Sequence, residues 1–395
     1  MFRVPKAELE RRIGEVQGRL RSAGVDFAVI VQNTDLYYLT GTVQQGHLVL
    51  PAEGEPVFFV RRDVARAQCE SELDRVVELT SLRALPEVVG RMGLPADGTV
   101  GMELDVVPVA MYRRYEAMWP AARFADCSDP IKEARSVKSA FELELIREAS
   151  AQADHILETA AGLLHEGMTE IEMAAELEAV ARKAGHQGII RFRAFNMELY
   201  HGHLISGPDG AIGSHVDTPL AGRGLTPAVA QGAGWRTIGR NEPIVFDLSG
   251  AVHGYIADET RIFCVGSLPA DLADAYERVR EMEQAMVALV RPGITCGELY
   301  ATAHNMAAEQ GLGAYFMGAH PTQVSFVGHG VGLEIDELPF VARGSSRALE
   351  EGNVIALEPK LAFPERGAVG LENTWLVTAD EAERLTNSPT EIWEV

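Results

Sequence analysis

Ile244-Val-Phe-Asp-Leu-Ser-Gly-Ala-Val-His-Gly-Tyr-Ile-Ala-Asp-Glu-Thr-Arg261 reads as a β-hairpin with one acid set into each apolar arm. The runs Pro243 to Leu248 and Tyr255 to Val265 are rich in Ile, Val, Phe and Tyr, and Ala251-Val-His-Gly254 supplies turn material between them. With a turn centred near Val252 and His253, Asp247 and Asp258 stand directly opposite each other, their Cβ atoms about 5 Å apart on one face. Two carboxylates held that close in an apolar strand pair repel and pick up protons unless a cation bridges them.

The pattern recurs further on. Val354-Ile-Ala-Leu-Glu-Pro359 and Gly370-Leu-Glu-Asn-Thr-Trp375 lie in apolar runs, Asn353 to Phe363 and Val369 to Val377, around the turn Pro364-Glu-Arg-Gly367. Folding about that turn faces Glu358 with Glu372. A lone acid in so apolar a strand is costly unless it is paired or ligated. Between the hairpins lies Gly328-His-Gly-Val-Gly-Leu-Glu334. Asp247, Asp258, Glu358 and Glu372 with the imidazole of His329 make a ligand set for two divalent ions. Oxygen-rich coordination with one histidine favours manganese, cobalt, iron or zinc over a thiolate-type structural zinc site. Two such ions about 3.5–4 Å apart could share a hydroxide and polarise a carbonyl, which points to hydrolysis.

The segments flanking the hairpins repeat as well. Leu163-Leu-His-Glu-Gly-Met-Thr-Glu-Ile-Glu172 parallels Leu289-Val-Arg-Pro-Gly-Ile-Thr-Cys-Gly-Glu298. Each predicts a helix, a turn, and a capping box (Thr169 with Glu172, Thr295 with Glu298) opening a second helix that ends near Gly185 or Gly311. Each copy then carries a histidine, His215 or His329, and its acid hairpin. Two copies imply a duplication that builds a pseudo-twofold sheet backed by helices around one centre.

These motifs resemble the pita-bread metallopeptidase family, which includes Xaa-Pro dipeptidases, Xaa-Pro aminopeptidases, methionine aminopeptidases and the metal-free creatinases. The family's ligand order of Asp, Asp, His, Glu, Glu falls on Asp247, Asp258, His329, Glu358 and Glu372. Asn33-Thr-Asp-Leu-Tyr-Tyr-Leu-Thr-Gly41 resembles the N-terminal domain of the prolidase and creatinase branch, and Arg135-Ser-Val-Lys-Ser139 the opening of the catalytic domain. The resemblance implies an α/β (α+β) fold: a small creatinase-like α/β domain over residues 1–128, a linker over 129–138, and a pita-bread catalytic domain over 139–395 with a curved antiparallel sheet. It further implies two divalent ions, manganese or cobalt first and zinc or iron after them, and a homodimer whose N-terminal domains cover the active-site mouth. Glu358 would accept the water proton and pass it to the leaving nitrogen, and His215, in Gly213-Ser-His-Val-Asp217, would stabilise the developing anion.

On the substrate side the chain departs from the family. Xaa-Pro enzymes carry a histidine seven residues after the ligand histidine, where this chain has Asp336, and another four residues before it, where it has Ser325. An arginine two residues before the last Glu is Gly370 here. Asp336 suggests contact with a cationic or hydrogen-bond-donating group. The leading expectation is therefore a dinuclear hydrolase of short peptides of Xaa-Pro type. The alternatives are a non-peptide C–N hydrolase of a small amide or amidine metabolite on the same fold, and a binding module with a vestigial site. Arg191-Phe-Arg-Ala-Phe195 and Tyr200-His-Gly-His203 are candidates to line the pocket, and His155, His165, His186 and His304 read as surface residues.

The composition is compatible with this. The 395 residues favour two domains, and 47% hydrophobic content is ample for two cores. A formal net charge of −22 offers no electrostatic footprint for nucleic acid or an anionic membrane. Four scattered cysteines form no Cys-x-x-Cys and mark no disulfide framework. No run approaches the roughly 18–20 apolar residues of a membrane span, and the charged start of the chain lacks an apolar signal core. The expectation is a soluble cytoplasmic protein.

Overall fold

Leu9, Ile13, Val16 and Leu20 form one stripe of the first helix, α1 (Lys6–Ser22), and all four are buried. The computed structural model describes residues 2–395, which form two units, one running up to Arg135 and the other Ser136–Val395.

In the first unit α1 is followed by β1 (Phe27–Ile30), α2 (Asn33–Thr40), β2 (Gly46–Pro51), β3 (Val57–Val60), α3 (Val64–Glu70), β4 (Val76–Glu78), α4 (Leu85–Arg91), β5 (Thr99–Met102), α5 (Val109–Met118), β6 (Arg123–Asp126) and α6 (Ser128–Ser136). The six strands form one sheet in the order β4-β3-β2-β1-β5-β6, with β1 antiparallel to β2 and parallel to β5. The Asn33–Gly41 motif is helix α2, closed by Gly41 at φ 75°, a left-handed cap that glycine adopts without Cβ strain. The stretch expected to form a linker is helical as far as Ser136, and near the helix's end the Arg135 guanidinium pairs with the buried Asp35 at 2.8 Å.

His47 on β2 hydrogen-bonds the Tyr115 hydroxyl at 2.8 Å, and burial, reinforced by nearby Arg61, pushes its pKa down to about 4. An unfolded histidine takes its proton near 6.5, so the stability His47 contributes is complete above that pH and is lost as pH falls from 6.5 towards 4. By pH 5 the loss amounts to roughly 2 kcal/mol. A His47→Leu variant should show a correspondingly flatter fall in urea midpoint between pH 7 and pH 5. Parallel curves for variant and wild type would refute this.

The second unit contains α7 (Ala140–Leu163), α8 (Glu170–Lys183), β7 (Gly202–Ser206), β8 (Ile244–Val252), β9 (Tyr255–Cys264), α9 (Ala270–Val287), α10 (Cys296–Glu309), β10 (Gly328–Gly330), β11 (Val354–Leu357), β12 (Lys360–Phe363), β13 (Gly367–Gly370), β14 (Asn373–Val377), β15 (Ala382–Arg384) and β16 (Trp393–Glu394). Capping boxes open α7, α8 and α10 at Ser139, Thr169 and Thr295. Two four-stranded sheets, β16-β9-β8-β7 and β10-β11-β14-β15, carry the two acid hairpins, as the pita-bread reading requires. Each has the same plan, a short strand bearing a histidine (β7 or β10) beside the strand that leads to the first acid. The histidine of the first copy is thus His203 on β7, whereas His215 lies in the loop between β7 and β8. His186, expected at the surface, is buried. Its Nδ1 accepts from the Gly188 N–H at 2.9 Å, which leaves Nε2 to donate to the Ser249 carbonyl at 3.1 Å.

Candidate metal centre

The first hairpin turns on His253 and Gly254, both at positive φ (50° and 92°), so that Val252 pairs with Tyr255. Two-residue turns of this kind match the right-handed twist of the flanking strands, and Gly254 accepts the left-handed conformation freely. The turn lies one residue later than the sequence suggested. Asp247 consequently opposes Thr260, and Ser249 opposes Asp258. The two aspartates share a face as diagonal neighbours and are not directly opposed.

In the second hairpin β11–β14 and β12–β13 keep one register, Leu357 with Asn373 on one side and Lys360 with Gly370 on the other, so Glu358 faces Glu372 between them. The hairpins meet where Thr260 and Glu372 exchange both backbone hydrogen bonds at 3.3 Å, and the Thr260 hydroxyl donates to Glu372 Oε2 at 2.8 Å. Arg261, wholly buried, donates to the Glu372 carbonyl at 2.8 Å and locks this junction.

His329 reaches the same point from β10. Its Nδ1 lies 3.0 Å from the Ile335 carbonyl, 3.2 Å from the Gly330 carbonyl and 3.4 Å from Asp336 Oδ1. Carbonyl acceptors place a proton on Nδ1, which makes Nε2, 3.7 Å from Glu372 Oε1 and 3.8 Å from Glu358 Oε1, the nitrogen that can give up its proton to a cation. The loop after His329 is held by Glu337, which accepts from the Leu333 and Glu334 N–H groups and from buried Lys138 at 3.0 Å. Asp258, His329 and Glu372 are all buried, and one donor atom from each lies within 4.8 Å of the others. Glu372 Oε1 is buried and has no hydrogen-bond partner.

Crowding of acids dominates the electrostatics. Burial pushes Asp258 well above the usual carboxylate range, and the neighbouring carboxylates of Glu372 and Asp247 add to it. Burial likewise lifts Glu372 to about 7, despite the opposing pull of Lys360. Burial works against the charged form of His329, but the carboxylates of Asp336, Glu358, Glu372 and Asp258 outweigh it and hold the imidazole up at about 9. A cluster so short of positive charge suits a divalent cation, which reverses each of these shifts.

The cleft above the cluster is lined by Asp247, Asp258, His329, Glu358, Glu372 and Asp336, together with His203, Asp217 and Lys360. His215 does not line it. That side chain is exposed, with its Nδ1 3.1 Å from Ser214 Oγ, while its neighbours Val216 and Asp217 do line the cleft. His203 stands opposite Asp247 in register and is buried. A wider recess of about 550 Å³, with Ile171, Leu177, Leu204 and Val229 in its walls, adjoins the cleft and shares His203 and Gln231 with it.

Lys360 was absent from the sequence-derived candidates. Its ammonium sits among Asp247, Glu358 and Glu372. The signal was present: a lysine two residues from Glu358 in an apolar strand shares its face, and a buried ammonium needs partners.

A duplicated pair of sheets that brings four acids and one histidine together, in a chain that also carries a creatinase-like unit, defines a hydrolase of the pita-bread class. Residues 144–379 match metallopeptidase family M24 and residues 12–137 match the creatinase/prolidase N-terminal domain, so the chain belongs to family M24. It is 27% identical to a Xaa-Pro dipeptidase of Pyrococcus furiosus, over 97% of this chain and 100% of that protein. The fold matches a dipeptidase, PepE, from Mycobacterium ulcerans (TM-score 0.82, 26% identity, 100% of both chains). It also matches a Xaa-Pro dipeptidase from Bacillus anthracis (TM-score 0.84, 24% identity, 98% of this chain and all of that one). Among the described residues no helix is long and apolar enough to cross a membrane.

Proposed function

We propose that this chain is a metal-dependent peptidase that hydrolyses the amide bond of short peptides, of the Xaa-Pro dipeptidase or aminopeptidase type. The observation that carries the proposal is the convergence of Asp258, His329 and Glu372 within 4.8 Å of one another, with the unpartnered Glu372 Oε1 3.7 Å from His329 Nε2. These donors, oxygen-rich with one imidazole, fit a divalent ion, manganese or cobalt before zinc or iron. Such an ion supplies Lewis-acid polarisation of the substrate carbonyl.

The chain's own residues do the rest. The carbonyl of Ile335 fixes the His329 tautomer, and Asp336 beside it raises the ring's basicity. Glu358, with one oxygen held by Lys360 and the other towards His329, takes the proton of the attacking water and delivers it to the leaving nitrogen. Asp336 and Asp217 place negative charge along the cleft wall, where the α-ammonium of a short peptide would be attracted. The apolar recess suits an apolar side chain next to the scissile bond.

Asp336 also supports a second reading, a C–N hydrolase of a cationic amidine, because its side chain is 34% exposed and so reachable by a ligand. The test is release of proline from Leu-Pro and Gly-Pro dipeptides, and of the N-terminal residue from Xaa-Pro-Yaa tripeptides, by protein stripped of metal and re-supplied with manganese, cobalt or zinc. Leu-Pro should be cleaved faster than Gly-Pro. If metal-loaded protein cleaves no peptide yet hydrolyses small amidines, the peptidase proposal is replaced by the second.

A further inference from the structure

Lys360 lies two residues beyond Glu358 on the same strand face, with its side chain 1% exposed. An ammonium has three N–H bonds to satisfy. Here they meet Asp247 Oδ2 at 2.9 Å, Glu358 Oε2 at 2.8 Å and Glu372 Oε2 at 2.9 Å. The three acceptors come from β8 and from both arms of the second hairpin, so one cation ties the two hairpins together. Across the ladder Lys360 pairs with Gly370, and a Cβ at residue 370 would run into Lys360 Cγ and lie 3.2 Å from its Cβ. The strand opposite the lysine is therefore bare where the stem passes.

Glu372 divides its oxygens between two cation positions. Oε2 accepts from Lys360, while the unpartnered Oε1 lies 3.7 Å from His329 Nε2. The Asp258–His329–Glu372 position fits a divalent ion. The position among Asp247, Glu358 and Glu372 is already filled by the chain's own ammonium. Building on the metal-centre proposal above, we propose that Lys360 is a built-in second cation, and that each chain binds one divalent ion where the sequence pattern implies two.

A tethered ammonium has consequences that a second ion would not. It carries one charge where a divalent ion carries two, it is not removed by chelators, and it is directional, so it orients Glu358 as well as neutralising it. Lys360 is a positioning residue in this scheme.

The test is stoichiometry. Full-length protein is stripped with chelator, equilibrated with excess manganese and desalted, and its metal is counted by mass spectrometry and examined by electron paramagnetic resonance. Wild type should hold one manganese per chain with the six-line spectrum of an isolated ion. Lys360→Ala, which vacates the second position, should double the content and show the broadened spectrum of a coupled pair. Lys360→Met keeps the stem volume and replaces the alanine variant if that fails to fold. Two ions per wild-type chain would overturn this inference and leave the metal centre standing, whereas none would overturn both. A folded lysine variant that still holds one ion would also overturn it. The wild-type count and line shape decide the matter even if neither variant folds.

Discussion

Glu358→Gln should lower turnover on the cleaved substrate by about 100- to 10,000-fold, the range expected when a general acid–base group is lost. Glutamine keeps the shape of the side chain and an oxygen that accepts from Lys360 at the position of Oε2, 2.8 Å away in the native chain. It cannot take a proton at any working pH. The residue is 4% exposed and lies at the junction of β11 and β12, so the substitution leaves no cavity. The measurement is kcat together with metal content on the same sample. Loss of turnover with metal retained assigns Glu358 to proton transfer, and loss of both would make coordination its main part. A variant within threefold of wild type would exclude the residue from the chemistry.

Why Glu358 could be found from sequence while Lys360 was not is a matter of local against non-local information. The acid hairpins were legible because strand periodicity, turn residues and the cost of a buried carboxylate all act within a few positions. Facing Glu358 with Glu372 needed only the length of one turn. The first hairpin shows the limit of that reasoning. Sequence placed acids and turn correctly to within one residue, but the choice between a turn on Val252–His253 and one on His253–Gly254 rests on which residue takes positive φ, and it moved Asp247 from opposite Asp258 to opposite Thr260. Capping boxes at Thr169 and Thr295 were equally local and equally legible. Histidines were harder. The motif around His215 looked suitable, but whether a side chain in a long loop turns towards a cleft depends on contacts with distant residues. His203 falls in the Tyr200-His-Gly-His203 stretch expected to line the pocket, and it does line it, but its place opposite Asp247 rests on strand pairing across some forty residues, which is invisible to pattern alone. Lys360 needed both kinds of knowledge. Its face followed from Glu358, but its three acceptors lie in segments up to 113 residues away. Gly370, an apparent departure from the resemblance when read alone, becomes intelligible only once Lys360 is seen to pass over it.

Arg261→Met should destabilise the second unit by about 3–5 kcal/mol, the cost of removing one partner of a buried ion pair. Arg261 is fully buried and pairs with Glu259 at 2.5 Å. It also donates hydrogen bonds to the carbonyls of Pro389, Thr260, Glu372 and Ser388 and to Asn373 Oδ1. Methionine fills much of the volume but satisfies none of these acceptors, and each orphaned buried carbonyl adds its own desolvation cost. Glu259 is already pushed up to about 8 by burial even with the guanidinium beside it. Loss of Arg261 removes the charge that pulls it back towards the ionised form, so the carboxyl is left buried and neutral without that partner. The double variant Glu259→Gln with Arg261→Met should therefore recover part of the loss, which separates the lost Glu259 contact from the lost carbonyl bonds. Urea unfolding of metal-loaded protein measures both, and a single-variant loss below about 1 kcal/mol would contradict the account. The effect should extend to the metal centre. The Glu372 carbonyl that Arg261 grips belongs to the residue whose two carboxylate oxygens serve Lys360 and the Asp258–His329 position, so loosening that backbone should weaken metal binding before the unit unfolds. A drop in manganese affinity at urea concentrations where the fold is still intact would show that the arginine of the Asp258-Glu-Thr-Arg261 motif holds the junction of the two hairpins on behalf of the site.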